Sequence, residues 1–447
     1  MLCQKGKKGQ NSDDQEDDDI VGAKSILLDD ISQFLETNDL DILISIADEF
    51  DEIIDVFGDS IFEPNMLTDQ FLEKIIDLSF NRENKEFSDA YLIIMNSLFI
   101  ENEQFDIERL ISNQFSFLER AYGYFTNCSN SVKCNELIHM ISTLSSRSEN
   151  ARNQVIDNFS NIIFEQADNR LPPDEISYLL LSITKFPLNF EILTRIAEIS
   201  IYFLRNHDDL NDLSMCQFIK TLDNIQKIAK GDVLQLIQDS DEFLQLFTEI
   251  ILNSKIRPRV SAMELLLNLS EIQISYLRML SIEILSTFTQ LKSINTELKQ
   301  EFMCLTLNLL AMKILSSPSY SIHFSNEMIQ NIMNLLDKGP FLVRIDTAKL
   351  IKDIIEFGTN ANLITFISLG IFNSISDIIE SDDTKCILVG LNIVDSFVKR
   401  NYNDDIIKDQ YEIIQERLDE LCSHENHQIA EFSQKLFSLI FSEYKSS

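Results

Sequence analysis

Toward its C-terminal end the chain alternates apolar and polar residues with the period of an α-helix, twice in close succession. Ile371, Phe372, Ile375, Ile378 and Ile379 fall at i, i+1, i+4, i+7 and i+8, which draws one apolar stripe along a helix. Ser381-Asp382-Asp383-Thr384 then offers short polar side chains suited to capping a helix start, and Ile387, Leu388, Leu391, Val394 and Val398 form a second stripe. Gly370 stands just before the first stripe, where the end of a preceding helix calls for a residue at ease in the left-handed conformation.

Similar long helical patterns recur along the chain. They lie at Leu92 to Leu98, Leu137 to Leu144, Ile176 to Ile183, Phe218 to Ile225, Met263 to Leu269, Met303 to Leu310, Thr347 to Ile354 and Leu388 to Val394. Their spacing of roughly 40 to 47 residues is the period of armadillo or HEAT repeats. A single such unit leaves its apolar face open, so neighbours must stack. The expected fold is all-α: an armadillo-like, right-handed superhelical solenoid with a concave face lined by the last helix of each repeat.

Composition agrees with helix. Only 10 Gly and 7 Pro occur in 447 residues, too few for a fold built of short strands and turns. Short polar breaks separate the helices at Gly58-Asp59-Ser60, Asn81 to Asn84, Leu171 to Asp174, Arg257-Pro258-Arg259 and Lys338-Gly339-Pro340, and none is long enough to be a linker between domains. Residues 1–19 read differently: Asp13-Asp14-Gln15-Glu16-Asp17-Asp18-Asp19 repels itself, and this stretch is expected to be a disordered acidic tail. Residues 20–447 are then the solenoid, about nine or ten repeats long.

Charge narrows the partners. With 37 Lys+Arg against 72 Asp+Glu the formal net charge is -35, which argues against nucleic acid and toward proteins with basic segments. An acidic surface also keeps an apolar-cored solenoid soluble, which accounts for part of that charge. The seven cysteines are scattered without a Cys-x-x-Cys pair and read as reduced core residues. Met1 to Gln10 has no apolar stretch, and no run approaches the roughly 18 apolar residues of a membrane span. The expected location is cytoplasm, nucleus or both, with no membrane partner.

Covalent chemistry finds no foothold. Cys422, His424 and His427 lack a fourth metal ligand, and Cys128, Cys134 and His139 match no zinc spacing. No glycine-rich phosphate loop is present, and Arg257-Pro258-Arg259 reads as a helix start with proline in its first turn. No pair among the many carboxylates stands out. The expectation is therefore a chain that is not an enzyme, with no cofactor and no metal.

Leu335 to Phe397 resembles the late armadillo repeats of importin-α, most closely at Asp383-Thr384-Lys385, Ile387-Leu388-Val389 and Leu391. Leu421-Cys422-Ser423-His424-Glu425-Asn426 with Ile429 is similar to the element that opens that family's last helical pair. The resemblance implies an adaptor that holds basic peptides, such as nuclear localisation signals, through Trp-x-x-x-Asn pairs. Tryptophans there flank the aliphatic stems of Lys or Arg, and asparagines clamp the peptide backbone. This chain has no tryptophan. The matching positions are Leu92 and Asn96, Glu264 and Asn268, and Lys349 and Asp353, so the resemblance offers Asn96, Glu264, Asn268, Lys349 and Asp353 as groove contacts. The family's basic segment for importin-β is reduced here to Lys5, Lys7 and Lys8, which speaks against docking to an importin-β-like receptor by that route. The alternative is an armadillo-type interaction scaffold that does not read localisation signals. An adaptor should present an acidic, asparagine-lined trough, and a scaffold an apolar patch.

Overall fold

A computed structural model of the chain describes residues 13–57, 61, 66–80, 85–100, 105–112, 114–127, 131–165, 172–206, 210–229, 241–272, 296–316, 324–400 and 405–441. The chain divides into two compact units, Met1–Ile228 and Ala229–Ser447. Among the described residues every regular element is a helix. Unit 1 holds α1 (Asp13–Glu36), α2 (Leu40–Phe57), α3 (Asp69–Ser79), α4 (Lys85–Ile100), α5 (Ile107–Leu110), α6 (Phe117–Asn127), α7 (Ser131–Arg147), α8 (Glu149–Glu165), α9 (Pro173–Ile183), α10 (Phe190–Arg205) and α11 (Asp212–Ala229). Unit 2 holds α12 (Asp241–Asn253), α13 (Ile256–Ile272), α14 (Glu297–Ser316), α15 (Asn326–Lys338), α16 (Phe341–Phe357), α17 (Asn360–Ser368), α18 (Ile371–Ile379), α19 (Thr384–Lys399), α20 (Asp405–Leu421) and α21 (His427–Phe441).

Within each unit the helices stack in two rows. One row of unit 1 runs α2, α4, α7, α9, α11, and one row of unit 2 runs α13, α14, α16, α19, α21. Their first residues are 39 to 46 apart along the chain, so each row is the repeat period made physical. Hydrogen bonds between successive repeats keep the same period. Asn96 bonds Glu136, Ser177 bonds Gln217, Asn224 bonds Thr184 and Thr365 bonds Asn326, at separations of 39 or 40 residues. All eight long helices expected from the sequence fall in these rows, which also gain α2 at one end and α21 at the other.

The three-helix layout read from the apolar stripes is present in α17, α18 and α19. Gly370 has φ +80° and turns the chain through 71° between α17 and α18. Asp383 caps α19 by accepting from the N–H groups of Lys385 at 2.8 Å and Cys386 at 3.0 Å. Ile371, Phe372, Ile375, Ile378 and Ile379 are all buried. They press against α19 at Gly390, where a Cβ would lie 2.5 Å from Ile379 Cγ2 and 3.2 Å from Ile378 Cγ2. The turn Ser423 to Asn426 before α21 is a cap as well: His424 Nδ1 accepts from Asn426 N–H and Asn426 Oδ1 from Gln428 N–H.

Helix C-termini leave carbonyls without intrahelical partners, and cations from neighbouring segments fill many of them. Arg400 donates to the carbonyls of Glu356 and Gly358 at the end of α16. Arg259 donates to Leu252 and Ser254 after α12, Arg344 to Leu336 of α15, and Lys74 to Leu35 and Thr37 after α1. Arg152 is only 2% exposed and donates to the Pro187 carbonyl at 2.5 Å.

One boundary differs from the sequence reading. Residues 1–12 lie outside the described residues, but α1 starts at Asp13, so Asp13 to Asp19 belong to a helix rather than to an unstructured tail. The breaks Gly58 to Ser60 and Asn81 to Asn84 also lie outside the described residues.

Two stability outcomes follow from this packing. Gly390→Ala lowers stability by about 1–3 kcal/mol in urea unfolding, overriding the better helix propensity of alanine, and Ile379→Ala in the same chain restores part of the loss. Arg400→Met costs about 1–3 kcal/mol because two carbonyls lose a charged donor, whereas Arg417→Met, at an exposed pair, leaves the unfolding midpoint where it is in the parent.

Candidate functional site

The long row helices are where polar side chains from successive repeats meet, and the two units fill those rows in different ways. In unit 1 the meeting of α4, α7 and α9 is acidic and half-buried. Asn96 on α4 donates to Glu136 of α7 at 2.6 Å. Burial, together with the charges of Glu136 and Asp174, pushes Glu175 of α9 up to about 7. His139 of α7 stacks on Tyr178 of α9, with centroids 4.9 Å apart and planes 21° from parallel. Burial pulls that imidazole below its usual range, while Glu136 pulls it back up. Asp174 accepts from Asn211 Nδ2 at 2.6 Å and from the Ser214 hydroxyl.

The group is short of donors. Asn96 Oδ1 and Asn135 Oδ1 are buried without a hydrogen-bond donor among the described residues, and Asn135 lies one turn before His139 on α7. A carboxyl group that burial and neighbouring charges hold toward its neutral form, together with amide oxygens without donors, favours one kind of visitor, a cation carrying several N–H groups.

The row of unit 2 is neutralised by its own lysines. Lys349 pairs with Asp346 at 2.8 Å, Lys352 with Asp353 at 3.2 Å and Glu356 at 3.5 Å, and Lys399 with Asp395 at 2.8 Å. Lys435 of α21 reaches the same Asp395 at 4.0 Å. Burial and Asp346 push the Cys304 thiol of α14 up to about 12, which makes it unreactive.

The five residues offered by the resemblance are spread accordingly. Asn96 sits in the acidic cluster of unit 1. Glu264 and Asn268 are half-buried one turn apart on α13, separated from α16 by the intervening α14. Lys349 is exposed and held by Asp346. Asp353 is 7% exposed beneath Lys352, so its carboxylate is a partner for its own chain. The sequence reading missed Glu136, Glu175 and Tyr178, and weighed His139 only as a zinc ligand. Their signal was available only as the 40-residue offset that sets Glu136 beside Asn96.

No family model matches the chain, and no curated protein matches it. Solved structures do. An engineered protein studied by a structural genomics consortium is 14% identical with a TM-score of 0.67, covering 93% of this chain and 98% of its own. A chain from a structure of the interaction between cadherin and beta-catenin is 11% identical with a TM-score of 0.51, covering 95% of this chain and 92% of its own. At these identities the likeness concerns fold alone, and with the two rows of stacked helices it makes the chain an all-α, armadillo-like solenoid.

Proposed function

We propose that the chain is a non-enzymatic adaptor of the cytoplasm or nucleus that holds an extended cationic segment of a partner protein across α4, α7 and α9. The observation that carries this reading is the donor-poor cluster of Glu136, Glu175, Asn96 and Asn135, where carboxylates from successive repeats crowd together. A lysine or arginine there relieves repulsion between Glu136 and Glu175 and supplies N–H groups to the amide oxygens. Tyr178 and His139 offer a flat surface for an aliphatic stem in place of the tryptophans that this chain lacks. The chain also shares its fold with a chain from a structure of the interaction between cadherin and beta-catenin, which supports a protein-binding role. Nuclear import is the narrower form of this reading and rests on the two segments that resemble importin-α.

A scaffold that does not read localisation signals is the second reading, favoured by the lysine-paired row of unit 2. There Lys349, Lys352 and Lys399 already occupy the carboxylates that a basic peptide would seek.

Fluorescence anisotropy with a labelled peptide of about 12 residues, alternating Arg and Gly, separates the two readings. Under the adaptor reading Glu136→Gln and Glu175→Gln each weaken binding by about 1 kcal/mol, and binding falls steeply with salt. Affinity also rises from about pH 6 to pH 8, since Glu175 is mostly neutral below about 7 and ionised above it. His139 acts in the same direction, because protonation at low pH adds a positive charge beside the site. Binding that ignores both substitutions and pH sinks the adaptor reading and leaves the scaffold.

A further inference from the structure

The negative charge of this chain is concentrated at α1 and α2. Nine acidic residues in α1 and six in α2 stand against Lys24 alone, and α2 carries no cation. The outer sides of the pair are exposed at Asp29, Glu36, Asp41, Asp48, Glu49 and Glu52.

Between these helices lies an open cleft of about 740 Å³, lined by Gly22, Ala23 and Ile26 of α1 and by Glu49, Glu52, Ile53, Val56 and Phe57 of α2. Its floor is apolar and its edge acidic. Ile26 is 54% exposed and Val56 67% exposed, whereas the same helices bury Leu27, Phe34, Ile46 and Phe50 completely or nearly so on their other faces. The two helices therefore carry apolar surface on two sides, one satisfied by the core and one uncovered among the described residues. Gly22 widens the opening, since a Cβ there would meet nothing within 4 Å.

From this combination we infer that the α1–α2 cleft docks a basic amphipathic helix of a partner protein, its apolar stripe on Ile26, Ile53 and Val56 and its lysines or arginines on Glu49 and Glu52. Charge complementarity selects this occupant. A second copy of the chain would bring its own acidic cleft edge against this one, and an anionic membrane surface would be repelled. An apolar helix without cations would leave Glu49 and Glu52 partly desolvated and unpaired. The docking site is distinct from the α4–α7–α9 cluster and does not depend on the reading of that cluster.

The full chain can be tested with two labelled model helices of about 18 residues. One carries Leu at i, i+3, i+4 and i+7 with Lys elsewhere, and the other replaces every Lys with Gln. The expected result is that the Leu/Lys helix binds at least about tenfold more tightly than the Leu/Gln helix. Val56→Lys should weaken it about tenfold, as should Glu49→Gln with Glu52→Gln, while far-UV circular dichroism and the thermal midpoint of the variants follow the parent. Both sites of substitution are exposed, so loss of fold is not the expected cause of lost binding. Equal affinity for the two helices overturns a basic partner. Affinity unchanged by Val56→Lys overturns the cleft. If Glu136→Gln with Glu175→Gln abolishes binding while the cleft variants retain it, the peptide sits on the other site and the inference fails. Concentration-dependent dimerisation that Val56→Lys removes, seen by sedimentation velocity, would overturn it in favour of a second copy.

Discussion

Each long row helix is apolar on more than one side, and only another helix of its own kind can cover the side that its own repeat leaves bare. That constraint explains why eight segments with unrelated sequences keep one spacing. Leu137, Ile138 and Ile141 of α7, for example, are wholly buried although their own hairpin partner covers a single face. The rest of the helix area is covered by α4 before it and α9 after it. Register along the rows is then set by contacts that tolerate little shift. Gly390 admits Ile378 and Ile379 because it has no side chain, and the offset of about 40 residues between bonded polar groups repeats from one interface to the next.

Stacking also decides where the few cations go. Helices that end against a neighbour expose carbonyls in places that water reaches poorly, and a guanidinium with five donors satisfies two or three of them at once. Arg400 does this for α16, and Arg259 does it for α12. Burial pulls Arg259 and Arg152 below the usual guanidinium range, yet it leaves both charged at neutral pH because that range starts so high. Cations used in this way are not free to offset the carboxylates on the helix flanks. The net charge of -35 already counts those cations, but their placement at helix ends leaves flanks such as that of α2 with no cation from their own helix.

The fold was legible because its signals are local. Apolar spacing within Ile371 to Ile379, an aspartate ahead of Thr384 and a glycine at 370 each act over a few residues, and each was found where the spacing put it. The start of α1 was not legible by the same logic. A run of like charges predicts repulsion, yet the helix begins within that run, at Asp13. The polar cluster of unit 1 was hidden for a different reason. Asn96 could be picked out by resemblance, but its meaning depends on Glu136 and Glu175, which come from the next two repeats and show no periodic pattern of their own. Asp353 shows the converse, since matching a family position said nothing of the lysine one residue before it that would bury its charge.

The armadillo-like frame of the repeats is shared with solved structures, whereas the groove expected from the resemblance to importin-α asks for side chains that this chain does not repeat. A groove that grips peptides with tryptophan walls needs the indoles at one helix position in several repeats, and at the matching positions this chain places Leu92, Glu264 and Lys349, three side chains with nothing in common. A leucine belongs to the core, a glutamate adds to the acidic potential, and a lysine cancels it. Side chains so different cannot form one repeated peptide register across both units. They can form separate patches, each with its own chemistry, and the acidic cluster of α4, α7 and α9 in unit 1 and the lysine-paired row of α16 and α19 in unit 2 are two such patches. On the reading proposed above, recognition rests on individual interfaces between repeats, where two or three side chains from successive helices meet, and not on a code read along a single groove.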